Sequence, residues 1–210
     1  MYKRQTKYSD ATLAYTKTGN RIGTNPGNTF FNDAGLNFFV RLILESRYDF
    51  VIEVGAHSLE RSVKLKSLFP QLKVFGLDVT TDFAERRMIE NVTLMPNTLE
   101  SIRVIAKECG GKGLICSHGT LCYYSTDALR DFFGLAYELR FDLAIAEPNT
   151  VGEESLEWSL MRTYQSRYHP YLNFLRTIGF RLPDGQGRQI RDTVSKAGEA
   201  RTFIFAQSPV

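Results

Sequence analysis

Six short runs along the chain are dominated by apolar, aromatic and β-branched residues: FVIEV (50–54), KVFGLDV (73–79), VTLM (92–95), GLICS (113–117), DLAIAE (142–147) and TFIFAQ (202–207). Most are unbroken rather than alternating. A strand with one solvated face alternates apolar and polar residues, whereas an unbroken run suits a strand covered on both faces of a parallel sheet. Between the runs lie segments of helical length and period. SLERSVKLKSLF follows the first run, TDFAERRMIE the second, TLESIRVIAKE the third and STDALRDFFGLAYELR the fourth, while DAGLNFFVRLILES precedes them all. Ser125 or Thr126 is the expected N-cap of the fourth, with Asp127 in its first turn. Strand and helix alternating five times predict an α/β fold, a doubly wound sheet with helices on both faces.

The last third leaves this rhythm. EESLEWSLMRTYQSRYHPYLNFLRTIGF holds at least two helical pieces broken near Pro170. The Gly- and charge-rich LPDGQGRQIRDTVSKAGEAR then reads as a hairpin-like excursion before the final strand, with a loop around Gly185 to Gly187. Residues 1–28 are polar, tyrosine-bearing and contain GTNPGN; they read as an irregular arm or lid, with Tyr8 and Tyr15 able to fold over a pocket. Residues 29–210 read as one domain, since 210 residues at 43% hydrophobic suffice for a single core.

Charge and cysteine usage narrow the setting. Lys plus Arg number 26 against 23 for Asp plus Glu, and a net charge of +3 does not argue for a nucleic-acid partner. No apolar stretch approaches the about 18 residues of a membrane span, and MYKRQTKYSD is no signal peptide, so no membrane partner is expected. Cys109, Cys116 and Cys122 are odd in number and lack ligand spacing, which suits free thiols in a reducing cytoplasm. A homo-oligomer is compatible with the sequence.

Open α/β sheets bind ligands beyond the carboxyl ends of their strands, where strand order reverses, so the exit of the first strand is the place to look. A dinucleotide needs G-x-G-x-x-G there, because its pyrophosphate must approach bare backbone at a helix N-terminus. The matching stretch is Gly55-Ala56-His57-Ser58-Leu59-Glu60. Only the first glycine is present and Glu60 sets a negative charge where phosphate would lie, which argues against NAD and FAD. A nucleoside without phosphates asks for less: one tight turn (Gly55), a small neighbour (Ala56), and an acid at the end of the second strand to accept from both ribose hydroxyls. Asp78, 23 residues after Gly55, has about the separation of two consecutive strand ends. The alternative for Asp78 is a cap on a helix beginning at Thr80 or Thr81.

At this point the chain resembles a known family. VIEVGA, VFGLDV, NVTLMPNTLES, GLICSHGTLCYYSTDALRDFF, DLAIAEP and a late GF…RTFIFA together resemble the class I S-adenosylmethionine-dependent methyltransferases over about residues 30–210. The resemblance implies a Rossmann-like seven-stranded sheet in the order 3-2-1-4-5-7-6, with strand 7 alone antiparallel, and S-adenosyl-L-methionine as cofactor. It implies that Glu53, Gly55, Ala56 and His57 line the methionine part and that Asp78, with Val79, holds the ribose. Asn97 or Thr98 would sit beside the adenine amino group, although Asn97 reads equally as a helix N-cap, and Ser117 would line the cofactor from the fourth strand. Two departures stand out: the family's G-x-G-x-G is Gly55-Ala56-His57-Ser58-Leu59 here, and no aspartate follows Asn97.

Methyl transfer from a sulfonium is an in-line displacement, so an enzyme chiefly aligns the acceptor, and a base helps when the acceptor is a hydroxyl. Neutral imidazole is the side-chain base best suited to neutral pH. His118, just past the fourth strand, and His169, in the aromatic cluster Tyr168-His169-Pro170-Tyr171, are the catalytic candidates. The alternatives are that His118 merely lines the cofactor and that the tyrosines around His169 are core anchors. His57, His118 and His169 show no i, i+4 pair, so no metal site is expected. Glu147 and Asn149, at the end of the fifth strand, could hydrogen-bond acceptor hydroxyls or orient a histidine; Glu147 could equally be a cap or pair with an arginine such as Arg162. Tyr123, Tyr124 and Tyr168 are candidate pocket walls, and Trp158 reads as packed.

These readings converge on a methyltransferase acting on a hydroxyl or carboxylate oxygen of a small-molecule acceptor, such as a sugar or natural product. One rival is a nucleic-acid or protein methyltransferase using the basic arm, although D/N-P-P-Y/F is absent and AEPNT follows the fifth strand instead. Another is a non-catalytic module whose glycine loop has drifted.

Overall fold

The computed structural model describes residues 34–57, 59–79, 87–148, 160–161, 167–183, 188–191 and 200–209. Helix α1 (Ala34–Ser46) leads into β1 (Phe50–Val54), α2 (Glu60–Leu68), β2 (Lys73–Asp78), β3 (Arg87–Ile89), β4 (Val92–Pro96) and α3 (Leu99–Cys109). Strand β5 (Gly113–His118) follows, then a 3-10 turn at Leu121–Tyr123, α4 (Thr126–Glu138), β6 (Asp142–Pro148), β7 (Leu160–Met161), β8 (Arg167–Tyr168), α5 (Tyr171–Ile178), β9 (Arg188–Arg191) and β10 (Ala200–Ala206). All six apolar runs are strands. The caps follow local chemistry: Thr98 opens α3 by accepting from the Ser101 N–H, and Ser125 opens α4 by accepting from the Ala128 N–H.

Eight strands form one sheet in the order β3-β4-β2-β1-β5-β6-β10-β9. The five from β4 to β6 are mutually parallel, and β10 runs antiparallel to both β6 and β9. Counting β4, β2, β1, β5, β6, β10 and β9 as strands 3, 2, 1, 4, 5, 7 and 6 reproduces the expected order. The hairpin-like excursion before the last strand is β9 paired to β10.

Two segments differ from their sequence reading. TDFAERRMIE was expected to be helical, but Arg87–Ile89 pairs antiparallel with β4 as an eighth, edge strand, and residues 80–86 lie outside the described residues. The cause is the following Glu90-Asn91, both at positive φ (49° and 65°), as a two-residue hairpin turn with the twist of its strands requires. The helical piece expected before Pro170 is replaced where it is described, because Leu160–Met161 and Arg167–Tyr168 pair as a small antiparallel ladder. Proline disfavours a helical residue before it, and α5 starts directly after Pro170. The amino-terminal arm, Ser58, Asn149, Trp158, Arg162 and the loop at 185–187 lie outside the described residues.

Helices cover both faces. On one, Ile52, Leu77 and Ile115 pack with Ile102 of α3, Phe132 of α4 and Leu175 of α5. On the other, Val51, Val74 and Leu114 pack with Leu36 and Phe39 of α1 and Leu65 of α2. Each such fully buried side chain contributes roughly 1.5–3 kcal/mol, which is why the runs are unbroken: both faces of each strand are used.

The amino edge of the sheet is closed by a polar network centred on Asp142. The Tyr48 hydroxyl donates to its Oδ2 at 2.8 Å, the Ser208 N–H and hydroxyl donate to Oδ1 at 2.9 and 3.2 Å, and Lys112 Nζ lies at 3.4 Å. Lys112 also stands 4.7 Å over the Tyr48 ring, a cation–π contact. Burial first, then the neighbouring Asp142 charge, push the Tyr48 phenol well above its ordinary pKa.

Candidate functional site

Strand order reverses between β1 and β5: the chain leaves β1 towards β2 and β4, then crosses to β5 and β6. The crevice outside these carboxyl ends is where such sheets hold ligands. Its first wall is the turn after β1. Gly55 has φ +76°, and the Gly55 and Ala56 N–H groups donate to the Leu77 carbonyl at 2.8 and 3.0 Å, tying the turn to the end of β2.

The missing glycines have kept their backbone. His57 and Leu59 adopt φ 27° and 61°, so all three positions of the G-x-G-x-G pattern are left-handed although only Gly55 is glycine. Residues with a Cβ pay about 1–2 kcal/mol for this conformation. Leu59 offsets part of that cost by burial: a Cβ on Gly76 would lie 2.9 Å from both Ala56 Cβ and Leu59 Cδ2, so the leucine is seated on β2 beneath α2. The His57 side chain is exposed.

Asp78, at the end of β2 and 6% exposed, accepts the His57 backbone N–H on Oδ2 at 2.7 Å. A carboxylate offers about four lone-pair sites, the number that makes an acid at a strand end suited to a diol. The Asp78 carbonyl accepts the Asn97 N–H at 2.7 Å, and buried Asn97 Oδ1 accepts the Tyr124 hydroxyl at 3.1 Å. Gly55, Ala56, His57, Asp78, Asn97 and Tyr124 are thus linked across four strand exits, with half-buried Val79 beside them. Thr98, not Asn97, is the N-cap of α3, so its hydroxyl is engaged within the helix.

Other candidates are placed differently. Glu53 is the penultimate residue of β1, 3% exposed, and accepts the Ser62 hydroxyl of α2. It anchors that helix against the sheet; burial first, then the Glu53 charge, push the neighbouring Cys116 thiol up. Ser117 donates to Glu147 at 2.6 Å, and Glu147 is fully buried. His118 is half-buried at the end of β5, where a Cβ on Gly35 of α1 would collide with its imidazole. Tyr123 and Tyr168 are half-buried.

His169 is enclosed. It is 0% exposed, with ring centroids 5.5 and 6.5 Å from Tyr171 and Phe174. Burial lowers its pKa to about 4, against a smaller opposing effect of its hydrogen bond with the Tyr124 backbone. That environment keeps the ring neutral and suits the core-anchor alternative. Among the described residues no three His, Cys, Asp or Glu side chains are grouped to hold a metal ion, and no helix is long and apolar enough to cross a membrane.

Sequence reasoning missed Gly35 and Thr120, which contact His118 and Gly55 respectively. The only signal for Gly35 is a lone glycine in the first turn of an amphipathic helix. Thr120 carries none, because its role depends on a contact between two strand exits.

No family model matches the sequence, and neither does any curated protein. Solved structures do. The Burkholderia thailandensis 1,6-didemethyltoxoflavin-N1-methyltransferase, with bound 1,6-didemethyltoxoflavin and S-adenosylhomocysteine, is 15% identical with a TM-score of 0.59, over 96% of this chain and 87% of its own. The glycopeptide N-methyltransferase MtfA, complexed with S-adenosyl-L-methionine, is 12% identical with a TM-score of 0.57, over 90% and 100%. An O-methyltransferase family protein from Burkholderia thailandensis is 17% identical with a TM-score of 0.52, and this chain, at 85% coverage, spans 58% of it. The chain has the fold of the class I S-adenosylmethionine-dependent methyltransferases.

Proposed function

We propose that this chain binds S-adenosyl-L-methionine and transfers its methyl group to a small hydroxylated or carboxylated acceptor. The observation that carries the reading is the rim of β1 and β2: three left-handed residues at 55, 57 and 59, with the buried Asp78 carboxylate fastened to the turn through the His57 N–H. This supports a nucleoside lying across the switch point. Asp78 would accept from the ribose hydroxyls beside Val79, Gly55 and Ala56 would face the amino-acid half with the exposed His57 at its edge, and Asn97 would stand nearest the base. The bound cofactor supplies an electrophilic methyl on sulfur; the protein aligns the acceptor with it and takes up a proton.

His118 is the proposed base, because its ring lies at the β5 exit beside the first turn of α1, whereas His169 is enclosed. Tyr123 and Tyr168, both half-buried, are the proposed acceptor walls. The similar structures are named for both nitrogen and oxygen methylation, so the proposal of an oxygen acceptor rests on the histidine and not on likeness. Thermal unfolding in saturating S-adenosyl-L-methionine tests the reading. A ligand at a hundred times its Kd adds about 2.7 kcal/mol to apparent stability. An unmoved midpoint at millimolar ligand would favour a non-catalytic module on the same sheet.

A further inference from the structure

The proposed cofactor site leaves the best-connected polar group of the carboxyl edge without a task. Glu147 is 0% exposed and accepts four donors: the Ser117 hydroxyl at 2.6 Å, the Thr120 and Leu121 N–H groups at 2.9 and 3.1 Å, and the Cys122 N–H at 3.3 Å. Three of these are backbone groups at the start of the 3-10 turn, where N–H groups lack partners within the turn itself. A buried carboxylate is costly unless its lone pairs are used, and here they are used on a single loop. The Gly119 N–H fixes the same loop to the Ala146 carbonyl at 3.0 Å.

What this anchoring sets is the position of Thr120. A methyl group added to Gly55 would collide with the Thr120 hydroxyl and methyl, so the threonine lies directly on the β1 turn across the switch point. Thr120 is itself half-buried. Asp78 stands on the other side of β1, at the exit of β2. The two halves of the proposed ligand therefore meet different supports.

We infer that Glu147 is a positioning residue for the amino-acid half of the ligand: it holds the β5 loop so that Thr120 walls the crevice at Gly55, while the adenosine half depends on Asp78. This rests on the nucleoside reading above. The chemical class at the Thr120 wall is a zwitterionic α-amino acid tail carried on a thioether or sulfonium.

The test compares two probes by calorimetric titration: S-adenosylhomocysteine, which carries the tail, and 5′-methylthioadenosine, which lacks it. Glu147→Gln offers one acceptor oxygen and an NH2 where the carboxylate takes four donors. Thr120→Gly removes the wall without touching the buried acid, which keeps the test alive should Glu147→Gln unfold. Each variant is expected to weaken S-adenosylhomocysteine about tenfold, the effect of one lost charge-assisted contact, and to leave 5′-methylthioadenosine unchanged. A purely structural role would lower the melting temperature and leave the ratio of the two affinities as in the wild type. An unchanged ratio in both variants overturns the inference alone, including the case in which Glu147 serves only the acceptor. A wild-type protein that binds neither probe overturns the nucleoside reading and the inference with it.

Discussion

Strand β6 carries a buried carboxylate near each end, Asp142 at the amino edge of the sheet and Glu147 at the carboxyl edge, and their partners differ in kind. Asp142 collects mostly side chains from distant parts of the chain: Tyr48, Lys112 and Ser208. Glu147 collects mostly backbone N–H groups of one loop. An acid held by distant side chains ties elements together and consumes those side chains in doing so. An acid held by local backbone fixes a loop without drawing on most of that loop's side chains. The same residue chemistry therefore joins distant elements at one edge and holds a single loop at the other.

Asp142→Ala is the severest way to break this contrast. It strands the buried Tyr48 hydroxyl and removes the counter-charge of a half-exposed Lys112, and we expect a loss of about 3 kcal/mol in urea unfolding. S-adenosylhomocysteine affinity of the folded variant should be unchanged. A marked loss of affinity would mean that the two edges are coupled, contrary to the division drawn above.

Asp78→Ala is the mirror-image experiment. Stability should move less than in Asp142→Ala, because the carboxylate's bond to the turn comes from a part-buried backbone N–H and not from a buried side chain that would be stranded. Affinity for S-adenosylhomocysteine should fall about a hundredfold, the effect of two charge-assisted bonds from a diol. Normal binding in calorimetry would remove the ribose assignment.

The contrast also explains what the sequence could and could not show. FVIEV, KVFGLD and GLICSH are legible as strands because burial on both faces leaves an unbroken apolar signature. Asp78 is legible because strand length and helix length fix its distance from Gly55. Arg87–Ile89 is not, since its strand state is imposed by the left-handed Glu90-Asn91 turn and pairing to β4, neither of which is a local propensity. His169 shows the limit most clearly. Its aromatic neighbours in sequence suit a pocket wall or a core equally, and its enclosure by Tyr171 and Phe174, which favours the core, is visible only in the fold.

That enclosure makes a pH prediction beneath the carboxyl edge. His169 has its pKa lowered to about 4, below its ordinary value near 6.5, so the unfolded chain binds the proton first on acidification. The stabilising contribution of the neutral ring is complete above pH 6.5 and is lost as pH falls towards 4. Between pH 7.5 and 5 the wild type should lose about 2 kcal/mol more than His169→Phe in urea unfolding. Parallel acid limbs in the two proteins would mean that the ring is not buried neutral, and would restore it as a candidate base.

The smallest effect probes the altered glycine loop itself. His57 pays for a left-handed backbone (φ 27°) yet leaves its side chain exposed, whereas Leu59 pays similarly (φ 61°) and is buried on Gly76. Packing therefore accounts for the leucine and not for the histidine. His57→Gly should stabilise the fold by about 0.5–1 kcal/mol, the relief of about 1–2 kcal/mol of strain less the extra backbone entropy that glycine loses. Leu59→Gly is the control, and should destabilise because it also empties the space over β2. If the imidazole is retained for the ligand, His57→Gly will gain this stability and still bind S-adenosylhomocysteine a few-fold more weakly. A variant that is more stable and binds as tightly as the wild type would show that the strain serves neither packing nor the cofactor, and His57 would then leave the site.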